Sequence, residues 1–195
     1  ELHALAESKR GDQLMLCLSR IKSWAPDAVT IGLSATVEAP QRLADFMGGA
    51  QILRAPDGPK PDISLLPTSQ SPPWSGHGGR YAIKDVLAEV RRSQAVIIFL
   101  NTRAQAELFF QALWLANEDH LPIALHHGSL AREQRERVEQ AMSAGELRAV
   151  VATGSLDLGL DWGNVDLVIQ IGNPRQIKRL VQRIGRANHQ YNQPS

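Results

Sequence analysis

The second half of the chain alternates short apolar runs with amphipathic stretches, and this alternation limits its fold more than any other feature. Strands are predicted at 95–100, 123–126, 148–152 and 165–169, and helices near 84–92, 104–117, 131–144 and 176–187. The strand runs are mostly apolar rather than alternating, which is typical of strands that are covered on both faces. The pattern therefore predicts an α/β fold in which helices cover both faces of a parallel sheet.

The first part of the chain shows a shorter version of this pattern. A helix is predicted at 12–24, after a cap at Asp12, and a shorter one starts near Pro40 and ends at Gly48-Gly49. Strands are predicted at 29–33 and 51–55. Prolines, glycines and serines then predict a linker over 56–79, with one possible strand at 63–66.

The composition is that of a globular protein without a strong overall charge. A chain of 195 residues with 43% hydrophobic content can bury a full core. With 21 basic and 20 acidic residues the net charge is +1, so affinity for nucleic acid must come from local clusters. The single cysteine, Cys17, lies among leucines and is predicted to be buried, and its lack of a partner suits the cytosol. Without a leader-like segment or an apolar run of membrane-spanning length, the protein is predicted to be cytoplasmic.

Three short polar segments follow predicted strands directly. They are residues 101–103, 126–129 and 153–155. In parallel sheets ligands bind beyond the carboxyl ends of strands, so these segments are candidates for a shared site. Capping of the following helices is the alternative for 101–103 and for Ser129. The two roles are compatible, because a helix start also offers its amides to a phosphate.

Arg183 and Arg186 lie three residues apart on the last predicted helix. At this spacing they project to neighbouring positions and could neutralise a triphosphate that arrives from another domain. The alternative is a solvated basic helix, since further basic residues precede them.

Taken in order, these segments resemble motifs II to VI of the superfamily 2 DExH helicases. The segments are Glu1-Leu2-His3, Ser34-Ala35-Thr36, residues 99–103, residues 126–129, residues 152–161 and Gln182-Arg183-Ile184-Gly185-Arg186. Within that superfamily the chain resembles the large helicase-related (Lhr) helicases. Residues 1–11 and Asn188-His189 resemble the bacterial branch of this family that is associated with DNA ligase and DNA damage.

The resemblance implies RecA-like parallel sheets and a division into domains. Residues 1–57 are expected to be the C-terminal part of a first RecA-like domain, the one that binds ATP. Residues 58–80 are expected to link it to the second domain, and residues 81–195 to form that second, truncated helicase C-terminal domain.

The resemblance also implies a site for ATP and Mg²⁺. Catalytic roles are implied for Glu1, Arg186 and His189, and contacts with the nucleotide for Gly159, Asp161 and Arg183. Glu1 would activate the attacking water, and the aspartate that would bind Mg²⁺ lies directly before it, outside this chain.

The remaining motifs imply coupling of hydrolysis to movement and contacts with a nucleic-acid strand. The coupling residues are His3, Ser34, Thr36 and Gln182. Contacts with the phosphates of the bound strand are implied for Thr102, Arg103, His127, Gly128, Thr153 and Ser155. Such contacts hold the backbone and do not read the sequence.

Two departures from the family pattern affect these expectations. Asn188 and His189 stand where many members of the superfamily have glycine and a last arginine, so Arg186 is expected to supply the γ-phosphate contact. A glycine-rich phosphate loop ending in Gly-Lys-Ser/Thr is missing from the sequence, so this chain alone is expected not to hydrolyse ATP efficiently.

The leading hypothesis is an ATP-dependent DNA helicase or translocase of DNA repair that moves 3′-to-5′ on single-stranded DNA. DNA ligase or nucleases are its candidate partners, and no membrane is involved. One alternative is a DExH helicase that acts on RNA, because phosphate contacts barely distinguish the two sugars. The other is a module that binds nucleic acid without motor activity.

Overall fold

The structure is a computed structural model that describes residues 2–6, 8–34, 39–54, 61–74, 78–156, 165–174, 177–185 and 187. The chain divides into two compact units, Glu1–Asp57 and Gly58–Ser195, which we call unit 1 and unit 2. None of the helices in the described ranges is long and apolar enough to span a membrane.

Unit 1 contains three helices among its described residues. They are α1 (Leu2–Leu5), α2 (Lys9–Trp24) and α3 (Pro40–Phe46). The predicted start of the long helix is wrong, because Ser8 and not Asp12 caps it: the Ser8 hydroxyl accepts a hydrogen bond from the Gly11 amide at 3.2 Å. Gly11 is needed there, since any Cβ would clash with the Leu5 carbonyl. The predicted end of α3 is confirmed, with Gly48 and Gly49 at φ of 82° and 88°.

The two strands predicted in unit 1 are wrong for their described residues, 29–33 and 51–54, which have no regular structure. Val29 is 84% exposed and Leu53 is 86% exposed. The physical reason is that a strand needs a neighbour for its backbone groups, and the described part of unit 1 offers none. Cys17 is also exposed, so the predicted burial of its thiol is wrong.

Unit 2 is built on a four-stranded parallel sheet. Its strands are β1 (Val96–Phe99), β2 (Ile123–His126), β3 (Ala149–Ala152) and β4 (Leu167–Gln170), in the order β2-β3-β1-β4. The predicted parallel sheet is confirmed. The last strand begins two residues later than expected, because the Asp166 carboxylate accepts hydrogen bonds of 2.8 Å from the amides of Gln94 and Ala95.

Helices cover both faces of this sheet, as predicted. They are α4 (Ile83–Arg92), α5 (Arg103–Ala116), α6 (Arg132–Ser143) and α7 (Ile177–Ile184), and α4 follows a short 3-10 turn at Arg80–Ala82. Alternate residues of β1 point to opposite faces, so Ile98 packs with the residues of α4 and α5 while Ile97 packs with Met142 of α6. The two faces carry separate apolar cores.

The segment before α4 is irregular. Residues 61–74 contain no strand, so the possible strand at 63–66 is wrong, and Leu65 is 96% exposed. Two hydrogen bonds connect this segment to α4, because Asp85 accepts at 3.1 Å from the amide and from the hydroxyl of Ser69.

The packing of α5 predicts a sharp contrast between two of its leucines. Leu113 is fully buried in the core and Leu115 is 77% exposed. Leu113→Ala is expected to lower the free energy of unfolding by about 2–5 kcal/mol, because it leaves a cavity. Leu115→Ala has the same chemistry at the surface and is expected to cost less than about 0.5 kcal/mol. Urea denaturation of both variants measures the difference, and equal losses would contradict the described packing of α5.

Candidate nucleic-acid and nucleotide site

The three polar segments singled out in the sequence lie at one edge of the sheet. They follow β1, β2 and β3, which are neighbours in the sheet and run parallel. The Thr153 amide donates a hydrogen bond to the His126 carbonyl at 3.3 Å and so links two of the segments. Their predicted convergence at the carboxyl edge is therefore confirmed.

The segment after β1 begins helix α5. Thr102 has extended backbone and its hydroxyl accepts a hydrogen bond from the Gln105 amide at 3.3 Å, so it caps the helix. Arg103 is the first helical residue, and its side chain is 60% exposed. Its Nε lies 3.3 Å from Oε1 of Glu107, one turn along the helix. An exposed guanidinium at a helix start is a suitable group for a phosphate.

His127 follows β2 and is buried, with 3% of its surface exposed. Neither ring nitrogen has a hydrogen-bond partner within the part of the chain that the structure describes. Nε2 lies 3.2 Å from Oε1 of Glu107, the same oxygen that Arg103 approaches, but without the alignment of a hydrogen bond. A buried polar group without a partner is costly. A ligand oxygen that accepts a hydrogen bond from this ring would contribute the energy of that bond and would also remove the cost of burying the ring unpaired.

The loop after His127 leads into α6 without a side-chain cap. The residue at the cap position is Ala131, so the alternative role of Ser129 as a helix cap is wrong. A Cβ placed on Gly128 would meet nothing within 4 Å, so the space above this backbone is open. An uncapped helix start beside open backbone is a favourable place for an anion.

His126, the neighbour of His127, has a structural role instead. It is the last residue of β2, it is 1% exposed, and its Nε2 lies 2.9 Å from Oε1 of Glu139 on α6. Burial lowers the pKa of His126 below its ordinary value, against the opposing effect of Glu139. The imidazole is therefore neutral near pH 7 and holds α6 against the sheet.

Arg183 of α7 lies inside unit 2. It is 2% exposed, its guanidinium carbon lies 4.5 Å from the centre of the Phe99 ring, and its Nη1 donates to Oε1 of Gln170 at 2.6 Å. The amide nitrogen of Gln170 donates in turn to the carbonyls of Ile171 and Gly172, at 3.0 and 2.8 Å. These contacts fix α7 on β1 and β4. The predicted contact of Arg183 with a nucleotide stays a prediction.

His3 and Ser34, the first two predicted coupling residues, lie together in unit 1. The Ser34 hydroxyl accepts a hydrogen bond from the His3 amide at 3.3 Å and lies 2.6 Å from Nδ1 of the same residue. This contact joins the segment after the acidic residue to the Ser-Ala-Thr segment.

Several predicted site residues lie outside the described residues. They are Glu1, Thr36, Gly159, Asp161, Arg186 and His189. Gln182 is half-buried on α7, next to Arg183, and the backbone of Ser155 lies in a 3-10 turn at Gly154–Leu156. Among the residues that the structure does describe, no three His, Cys, Asp or Glu side chains come together to hold a metal ion. The predicted use of Mg²⁺ stays a prediction.

Two residues of the site were missed in the sequence. Glu107 contacts both Arg103 and His127, and Gln170 holds Arg183. The four-residue spacing of Arg103 and Glu107 on a predicted helix is a signal for the first contact. The contact of Gln170 with Arg183 depends on how the strands pair in the sheet, and no local sequence pattern indicates it.

The comparisons with known proteins agree with this architecture. Residues 80–189 match the model of the helicase conserved C-terminal domain. The chain belongs to this family of helicases.

Relatives and a solved structure narrow the family to the Lhr type. The chain is 38% identical to ATP-dependent helicase Lhr-Core protein 2 of Thermococcus barophilus, over 100% of the chain and 24% of that protein. It is 36% identical to the Lhr helicase/uracil glycosylase of Escherichia coli, over 97% of the chain and 16% of that protein. The structure of Mycobacterium smegmatis helicase Lhr bound to ssDNA and AMP-PNP matches with a TM-score of 0.87 and 36% identity, over 100% of this chain and 27% of that one. The resemblance to superfamily 2 Lhr-type helicases is confirmed, and the chain spans about a quarter or less of these relatives.

The contacts of Arg183 predict a large effect on stability. Arg183→Ala is expected to lower the free energy of unfolding by about 2–4 kcal/mol, because it leaves a cavity over Phe99 and removes the partner of Gln170. Arg179 lies on the same helix and is exposed, so Arg179→Ala is the matched control and is expected to cost less than about 1 kcal/mol. Denaturant unfolding followed by circular dichroism measures both. A smaller loss for Arg183→Ala than for the control would contradict this assignment.

Proposed function

We propose that the chain is the motor segment of an ATP-dependent DNA helicase or translocase. Residues 1–57 form the end of a first RecA-like domain, residues 58–80 lead into the second, and residues 81–195 belong to that second domain. The observation that carries the proposal is the convergence of three polar loops at one sheet edge, with an exposed Arg103 and a buried, unbonded His127. Membership of the helicase C-terminal family and the Lhr relatives support it.

In this proposal the sheet edge holds the phosphates of a single strand. Arg103 supplies charge, and His127 and Thr102 supply polar atoms beside the start of α5. Gly128 leaves its backbone accessible. Thr153 and Ser155 complete the path. None of these groups reads a base edge, so binding is expected to be independent of sequence.

The nucleotide lies against the end of α7. Arg186 contacts the γ-phosphate, His189 follows it, and Gly159 and Asp161 lie near the ribose. Arg183 is included in this group because it fixes α7 on the sheet. Glu1 activates the attacking water, and bound Mg²⁺ would neutralise the charge of the triphosphate.

Coupling of hydrolysis to movement is assigned to His3, Ser34, Thr36 and Gln182. The 2.6 Å contact of His3 with Ser34 supports this part of the proposal, because it links the segment after the catalytic glutamate to the Ser-Ala-Thr segment.

DNA is the proposed strand because helicase Lhr of Mycobacterium smegmatis was solved bound to ssDNA and AMP-PNP. The finer parts of the proposal are movement in the 3′-to-5′ direction, a role in DNA repair, a cytoplasmic location, and ligase or nuclease partners. The direction, the repair role and the partners come from the resemblance to the bacterial Lhr branch, and the location comes from the single cysteine. A matched pair of DNA and RNA oligonucleotides tests the choice of sugar, since a preference for RNA would favour the RNA helicase alternative.

Arg103→Ala in the full-length protein tests the strand path. Affinity is expected to fall to a similar extent for oligonucleotides of unrelated sequence, and the slope of log K against log salt is expected to fall by about one. Arg92→Ala is the matched control, because Arg92 is also an exposed arginine paired with a glutamate on its own helix, shortly before β1 begins. Fluorescence anisotropy over a salt series measures both. Weakening confined to one sequence, or an unchanged slope, would contradict the path.

Arg186→Ala in the full-length protein tests the nucleotide site. Strand-stimulated ATP hydrolysis is expected to fall by about three to five decades, the range for loss of an arginine finger, while strand affinity stays nearly unchanged. His189→Ala is expected to cost much less, because an imidazole is a weaker and pH-sensitive substitute for a guanidinium. Steady-state ATPase assays with a fixed excess of single strand give both rates. Equal losses in the two variants would show that Arg186 is not the principal finger.

A further inference from the structure

Arg103, Glu107 and His127 form a cluster at the proposed strand-binding edge, which we call the edge cluster. A single carboxylate oxygen, Oε1 of Glu107, lies 3.3 Å from Nε of Arg103 and 3.2 Å from Nε2 of His127. The position of this acid is unexpected, because it lies between two groups that are proposed to face phosphates. Nothing in the proposed motor function assigns a role to it.

The geometry gives Glu107 the contacts that a phosphate oxygen would make. A carboxylate and a phosphate both offer anionic oxygens to a guanidinium, and they do so from the same directions. Oε1 of Glu107 and a phosphate oxygen cannot both occupy the same place beside Nε of Arg103. A strand that binds through Arg103 must therefore displace Glu107 or share the guanidinium with it.

The exchange is easy because the pair is exposed. The side chain of Arg103 is 60% exposed and that of Glu107 is 46% exposed, so water screens their attraction. A pair of this kind on a helix shifts an equilibrium by only about a factor of two. A phosphate carries its charge together with those of its neighbours along the strand and is the stronger partner.

We propose that Glu107 is an internal competitor that competes with the strand for Arg103. It pairs with Arg103 in the free protein and pairs with it again when the phosphate leaves. This inference rests on the proposed strand path. Glu107 reduces the affinity of the edge and speeds release of the strand. A motor must release one phosphate before it binds the next, and such a competitor favours rapid exchange of phosphates.

The test is Glu107→Gln in the full-length protein, which keeps the shape of the side chain and removes its charge. Single-stranded DNA is expected to bind about two- to fivefold more tightly at low salt. The reason is that Arg103 is released from its ion pair and that residue 107 no longer repels the phosphates. Most of the gain is expected in a slower dissociation rate, and it should shrink as salt rises. Anisotropy titrations and stopped-flow dissociation with one labelled oligonucleotide measure both effects.

Two matched variants make the test specific. Glu89→Gln removes the same charge from another pair within one helix, with Arg92 on α4, where Nη1 lies 2.8 Å from Oε1. It should leave affinity and dissociation unchanged, because α4 ends where β1 begins, at the other edge of the sheet. In an Arg103→Ala background, Glu107→Gln should give little further gain, since the arginine that it competes for is gone.

The outcomes separate the inference from the proposed function. If Arg103→Ala weakens binding but Glu107→Gln weakens it or leaves it unchanged, the competitor is overturned and the strand path stands. If Glu89→Gln tightens binding as much as Glu107→Gln, the effect is one of overall charge and the competitor is also overturned. If Arg103→Ala binds as tightly as the unchanged protein, the strand path fails, and the inference fails with it.

Discussion

The parallel pairing of β1 with two neighbours is the constraint on which the rest of unit 2 depends. Its four residues are fully buried, and they pair in register with β3 on one side and β4 on the other. Because the strands run the same way, the loops that follow them emerge at one edge. Helices α5 and α6 begin at that edge, and their first turns bring backbone amides to the same place. The site is thus a consequence of sheet pairing, and each loop alone would be an ordinary helix start.

Two consecutive histidines at this edge have different surroundings. His126 and His127 are almost equally buried, at 1% and 3% exposure. The ring of His126 is satisfied by Glu139, and burial lowers its pKa, so it acts as a neutral connector between β2 and α6. The ring of His127 has no hydrogen-bond partner in the described ranges. The cost of burying that ring unpaired is what a strand at the proposed site would recover.

The sequence patterns were most informative where local periodicity decides the structure. Strands and helices of unit 2 were predicted to within a few residues, because apolar runs and amphipathic stretches alternate there without interruption. The strands predicted in unit 1 were wrong, because a strand also requires a partner that local pattern does not show. The burial of Arg183 could not be predicted from the sequence for a similar reason. An arginine on a basic helix is expected to face solvent, and only the placement of Phe99 and Gln170 by the sheet turns it inward.

The same strand connects both halves of the candidate site. Phe99 of β1 packs against Arg183, and only two residues separate it from Thr102, which caps α5. The side chain of Asn101 between them donates to the Asn173 carbonyl at 2.8 Å, in the loop that follows β4. A helix proposed to face the nucleotide and a loop proposed to face the strand are therefore attached to one rigid segment of backbone. In a close-packed sheet such attachments cannot slide independently, so we expect a displacement at one proposed site to reach the other through β1.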